Sequence, residues 1–215
     1  MTTQFPDLPE RMRRLPVDHR GFPVPWFVAW QDGAPFFPAM DHEKFIRAWD
    51  HGLCWVCGQP TGRFRTFVIG PMCAVNLTSS EPPCHIECAR FSARRCPFLA
   101  NPRMQRVPVK KWTQGRANPA GEMIERNPGV ALVWTTRNPR RFRVPDGHLF
   151  DIGDPKEIEW YTYGREATRA EVLASIETGL PSLTASIARE LPCDRPAAQA
   201  ELDRRLAAAL DLVPA

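Results

Sequence analysis

The sequence predicts an α+β protein: an N-terminal zinc-binding module followed by a small antiparallel sheet covered by C-terminal helices. Three observations predict it. Residues 53–97 hold six of the seven cysteines together with His85, in spacings that suit a metal. Between 130 and 163, short apolar or alternating runs are separated by turn residues, which is the texture of antiparallel strands. Beyond Thr168 the pattern becomes helical, opening on a capping box and ending on a leucine stripe.

A chain of 215 residues that is 43% apolar can bury a real core, as one large domain or as a domain with a small satellite. The expected division is an arm, hairpin and zinc module over 1–99, a basic irregular segment over 100–121, and a sheet with C-terminal helices over 122–215, packed as one unit. The opening residues MTTQFPDLPERMRRLP contain no apolar run of the leader type. No later stretch approaches the roughly 18 apolar residues that span a bilayer. A soluble, cytoplasmic protein without a membrane partner is expected. An odd cysteine count in Cys-x-x-Cys and helix-turn spacing suits metal binding better than a secreted disulfide framework.

In chain order, residues 1–25 are rich in Pro and Arg and read as an extended arm. Trp26 to Trp30 is strand-like, and Gln31-Asp-Gly33 turns it back toward Phe36 and Phe37 as a hairpin. Asp41 can cap a short helix that buries Phe45, Ile46 and Trp49, with Gly52 ending it. After the Cys54-x-x-Cys57 turn, Arg63 to Ile69 reads as a strand, bent at Gly70-Pro71 before its expected partner, Met72 to Leu77. Pro83 suits the first position of a helix that runs to Arg95 and stops at Cys96-Pro97.

The second half begins with the apolar strand Val130 to Thr135. Arg141 to Val144 and His148 to Ile152 form a hairpin about Asp146-Gly147, and Ile158 to Tyr163 is a further strand, all expected in one sheet. Thr168-Arg-Ala-Glu171 is a capping box, with Val172, Leu173 and Ile176 as the buried face. Gly179-Leu-Pro181 reads as the stop, with another short helix from Ser182. Pro196 opens a last helix whose Leu202, Leu206 and Leu210 lie on one stripe.

Zinc takes four soft or borderline donors in a tetrahedron. Cys54 and Cys57 supply two thiolates from one tight loop. His85 and Cys88, three apart in a first helical turn, share a face and can supply the other two, and Cys84 with Cys88 is the competing pair. Cys73 and Cys96 are the alternates that would join Cys54 and Cys57 around an iron–sulfur cluster. Otherwise those two, with Cys193, are small buried apolar residues. Zinc is preferred because the histidine is well placed and the spacings match no ferredoxin pattern. Four available ligands dominated by thiolate imply a closed, structural site, so no catalytic residue is assigned. The His-x-Glu and Pro-Cys-x-x-Cys strings of nucleic-acid deaminases are absent.

Knuckle, strand pair, loop and ligand-bearing helix over 53–97 resemble the treble-clef class of zinc modules. Pro82-Pro-Cys-His85 is similar to the nucleophile segment of thymidylate synthases, a match four residues long that would make Cys84 an attacking thiolate. Taken together, VPWFVAWQDG, LCWVCG, GPMCAVN, EPPCHIECA, CPFL and GREATRAEVLASIETGLP resemble a type of protein encoded by bacteriophages and prophages. That likeness implies an intracellular, phage-type setting and no particular activity.

The net charge is only +4, but it is unevenly spread. Between Glu87 and Glu122 no acidic residue occurs, while Arg90, Arg94, Arg95, Arg103, Arg106, Lys110, Lys111 and Arg116 do. Arg137, Arg140, Arg141 and Arg143 lie close behind. Such blocks point to nucleic acid or another anionic partner. The alternatives are an enzyme that modifies a nucleotide or nucleic acid at a metal or cysteine centre, and a protein that binds and modulates a host protein. Asp146, His148, Asp151 and Asp154 would serve the first as acid and base, though Asp-Gly and Asp-Pro are turn formers in their own right. Of Trp26, Trp30, Trp112, Trp134, Trp160, Tyr161 and Tyr163, most belong to the core. Trp112 is the one expected at the surface, as a stacking platform.

Overall fold

The computed structural model describes residues 5–105, 120 and 126–215. Within them the arm leads into β1 (Val28–Gln31) and β2 (Ala34–Met40), an antiparallel hairpin turned at Asp32 and Gly33, both at positive φ. Helix α1 (His42–Asp50) comes next, its N-terminus capped by the Asp41 carboxylate, which accepts from the Lys44 amide. Then come β3 (Arg65–Ile69), α2 (Pro71–Asn76), the short β4 (Thr78–Ser79) and α3 (Ile86–Arg95). The second half holds β5 (Ala131–Thr136), the hairpin β6 (Arg140–Val144) with β7 (Gly147–Asp151), then β8 (Glu157–Thr162) and the short β9 (Arg165–Glu166). Helices α4 (Arg169–Ala188) and α5 (Arg195–Leu210) complete the chain.

The strands divide into separate sheets instead of the single one expected. One has the order β3-β5-β8-β9, another β4-β7-β6, and the β1–β2 hairpin stands apart. The reason lies in side-chain chemistry. Every residue of β5 is buried, so that strand needs neighbours on both edges and cover on both faces. β6 reads Arg-Arg-Phe-Arg-Val and is tolerated only at an edge. β3 therefore comes from the cysteine-rich half to pair with β5, Phe67 opposite Trp134 and Thr66 opposite Thr135.

Helix α3 packs across β3, β5 and β8. From the hairpin sheet, the fully buried Phe150 meets Phe45 and Trp49 of α1 at 5.7 and 5.1 Å, and Phe67 of β3 at 6.5 Å. The tail docks too, since the Trp160 indole donates to the Leu212 carbonyl at 3.0 Å. No helix among the described residues is long and apolar enough to cross a membrane.

Several local expectations give way to tertiary context. Met72 to Leu77 is not a strand: Gly70 caps α2, Pro71 supplies a first-turn residue with no amide to satisfy, and Leu77 ends it in the left-handed region. α3 starts at Ile86 and not at Pro83, because Cys84 is held extended by two backbone hydrogen bonds with Thr66, at 2.7 and 3.0 Å. α4 runs through Pro181 to Ala188 as one helix. Gly179 there is a point of close approach: a Cβ would sit 2.8 Å from Cγ of Met72 on α2. On α5, Leu202 and Leu206 pack on the core, but Leu210 is exposed and Ala209 and Val213 are buried in its place. Cys193, expected inside, is exposed.

Truncating Phe150 removes the contact shared by three elements. Phe150→Ala is expected to cost about 3–5 kcal/mol in denaturant unfolding. Thr168→Ala, which deletes the observed capping box of α4, is expected to cost about 1 kcal/mol.

Candidate metal centre

The knuckle is built by backbone geometry. The Cys54 amide donates to the Gln59 carbonyl at 2.7 Å, and the Gly58 amide returns to the Cys54 carbonyl at 2.8 Å. Gly58 has φ +73, and a Cβ there would lie 2.7 Å from the Trp26 ring, so only glycine fits the turn beneath that indole. The Trp55 amide donates to the Pro83 carbonyl at 3.1 Å, which ties the knuckle to the segment entering α3. His85 is the N-cap residue of α3, and Cys88 lies in its first turn.

Cys54, Cys57, His85 and Cys88 thereby come together, all buried, with one ligand atom from each within 4.8 Å of the others. Zinc–sulfur bonds of about 2.3 Å in a tetrahedron put sulfurs about 3.8 Å apart, so an ion need draw these atoms in only slightly. Supporting groups are in place. The Cys54 Sγ accepts from the amides of Cys57 and His85, each at 3.4 Å. The His85 Nε2 lies 3.0 Å from the Pro60 carbonyl, which can only accept, so Nε2 carries the hydrogen. That leaves Nδ1, 3.4 Å from the Cys57 Sγ, as the donor facing the cluster. The amino end of α3 adds about half a positive charge beside the thiols.

The protons of the cluster reflect this crowding. Burial alone would raise the Cys54 thiol, but hydrogen bonds from Cys57, Cys84, Cys88 and His85 outweigh it and hold it far below the usual thiol range. Hydrogen bonding to Cys54, then to Cys57, pushes His85 up to about 10. Hydrogen bonds of its own to Cys54 and Cys57, reinforced by burial, push the Cys88 thiol up. A cation in the centre would displace these protons and take over their role. The residues therefore fit a metal ion such as zinc.

Cys84 lies beside the cluster but is not one of its four donors: its thiol donates to the Thr66 carbonyl at 3.1 Å, and bonding to Cys54 together with burial pushes it well above the normal range. It keeps its proton and lies outside the four-donor group. Cys73 on α2 and Cys96 at the end of α3 also lie outside it, so the set that an iron–sulfur cluster would need is not assembled.

The arginines read as an anion-binding block are largely engaged within the chain. Arg90 bonds Glu157 and Glu159 of β8, both at 2.7 Å. Arg94 lies 5.3 Å from the Tyr161 ring and donates to its hydroxyl at 3.2 Å. Arg95 pairs with Asp7, Arg140 with Asp151 and Arg141 with Asp50. Arg137 covers the Phe64 ring at 5.0 Å. Arg103 and Arg143 are exposed with no acidic partner among the described residues. Arg106, Lys110, Lys111, Arg116 and Trp112 lie outside the described residues.

Asp151 accepts from Arg140 and from the Gly153 amide, the work of a turn residue and not of an acid or base. Trp134, Trp160 and Tyr161 are core, whereas Trp30 and Tyr163 are exposed. Spacing and composition gave no sign of the Pro60 carbonyl or the Trp26 cover. Gly58 alone signalled that something must approach the knuckle closely. Comparison with protein-family profiles, with curated proteins and with solved structures returns no match to this chain.

Elemental analysis should find one zinc per chain in the wild type and in Cys84→Ser, whose thiol the cluster does not use. Cys54→Ser and His85→Ala should lose the metal and unfold at lower denaturant. Retention in both, or loss in Cys84→Ser, would show a different ligand set.

Proposed function

We propose that this is a phage-type zinc-binding protein whose metal is structural and which binds nucleic acid through arginine and lysine side chains held by the metal module. One observation carries the reading. The metal cluster closes on the first turn of α3, and of the eight basic residues between Glu87 and Glu122, an interval without an acid, that helix carries Arg90, Arg94 and Arg95 and leads into the other five. A fixed metal clamp at one end of α3 holds Arg94 and Arg95 in a set pose at the other.

The treble-clef likeness is supported by order: a knuckle, then the extended pair at Thr66 and Cys84, then a helix bearing His85 and Cys88. A structural metal is supported by four side-chain donors, which fill a tetrahedral shell. The nucleotide-modifying alternative at a metal needs an open coordination position, which four side-chain donors would not leave.

Fluorescence anisotropy with labelled oligonucleotides tests the proposal. Affinity for a single strand should fall roughly 50-fold between about 50 and 200 mM salt if about four phosphates are contacted. Removing the metal with a strong chelator should abolish binding together with the fold. Absence of salt-sensitive binding to any DNA or RNA would end the reading.

A further inference from the structure

Two concave features meet beside the metal knuckle. One is a groove of about 680 Å³ between the arm and α3, lined by Arg11 and Arg14 on one side and Arg90 and Arg94 on the other. The second is a pocket of about 270 Å³ walled by Trp26 and Trp30, with Arg14 and Lys44 at its rim and Cys57 reaching its lining. Arg14 and Gln59 line both, so the two lie side by side.

Charge decides what the groove can hold. Each of its acids is answered within the chain: Asp7 by Arg95 at 2.9 Å, Glu87 by Arg11 at 2.8 Å and Glu10 by Arg13 at 2.8 Å. Arg14 has no acidic partner among the described residues, whereas Arg94 bonds the Tyr161 hydroxyl, which itself donates to Glu159, and its charge is answered by that carboxylate. The groove therefore keeps uncompensated positive charge at Arg14, the end next to the pocket, while Arg90 and Arg94 are answered by Glu157 and Glu159. The pocket has no acidic lining at all. Its aromatic walls are fixed differently: Trp26 is seated on Gly58, while Trp30 on β1 is 45% exposed and offers an open indole face. A volume just under the roughly 300 Å³ at which drug-sized pockets begin suits one base.

We infer that the pocket and the adjoining end of the groove form a track for a short segment of single-stranded nucleic acid, a phosphate meeting Arg14 and one base stacked on the exposed face of Trp30. The track rests on the proposed nucleic-acid function and gives it a location. A base must be unpaired and unstacked to enter such a pocket, which favours a single strand over a duplex. The arginine then acts on the backbone without regard to sequence.

The test uses the full-length, metal-loaded protein with labelled oligo-dT, oligo-U and a DNA duplex. Trp30→Ala and Arg14→Glu are both at exposed positions, and unchanged zinc content serves as the folding control. Each should weaken single-strand binding roughly tenfold. Arg14→Glu should also flatten the salt dependence, and the tryptophan quenching on binding should shrink in Trp30→Ala. If the wild type binds single strands and both variants bind them equally well, the track is wrong while the nucleic-acid reading stands. Tighter binding of the duplex would overturn the single-strand assignment. No binding by the wild type would remove the reading on which the track rests.

Discussion

The rest of the structure depends on the arrangement around the Cys54 sulfur. It has no solvent exposure, accepts two backbone amides, and is the group whose charge reorganises its neighbours. A buried anion is costly unless a counter-charge lies beside it. In the protein alone that charge is the His85 imidazolium, helped by the amino end of α3. A divalent cation would do more, because it would also organise the thiols of Cys57 and Cys88. Knuckle, β3 and α3 converge on this point, so the free energy of binding a metal here would be in large part free energy of folding.

The centre is joined to the remainder through β3. One end of that strand is bridged to Cys84 beside the cluster, and its length is paired with β5, the most deeply buried strand. The Thr66 and Thr135 hydroxyls bond each other at 3.0 Å within the same ladder. Phe150 then fastens the hairpin sheet and α1 onto Phe67. Disturbance at the metal would reach β5 through shared strands and would not stay in the knuckle.

What could be read from the sequence divides by the range of the interaction. The Cys54-x-x-Cys57 knuckle, the Asp41 cap, the Asp32-Gly33 turn and the Thr168–Glu171 capping box are formed by residues within a few positions of one another. All were legible. The partner of β3 was not, because whether β3 pairs with β5 depends on what covers β5. The continuity of α4 past Pro181 was hidden for a similar reason: Gly179 answers to Met72, far away in sequence, and not to a helix end. As the partner of Cys88, His85 and Cys84 were both open by spacing, and the Thr66 carbonyl, which takes the Cys84 thiol, separates them. Charge was the most misleading signal. A run of arginines counts cations, but Asp7, Asp50, Glu157 and Glu159, all distant in sequence, decide how many remain available.

The ladder between β3 and β5 also bears on the order of assembly. Thr66 and Thr135 are 69 positions apart, so during synthesis β3 exists well before the strand that will bury it. All four donors lie between Cys54 and Cys88 and are available earlier. Closing that shorter loop around a metal would order Thr66 against Cys84 while β5 is still to come, and would lower the entropy that the later, longer closure must overcome. A metal bound there would act in time as well as in space: it would order an apolar strand during the interval when a nascent chain is most prone to aggregate.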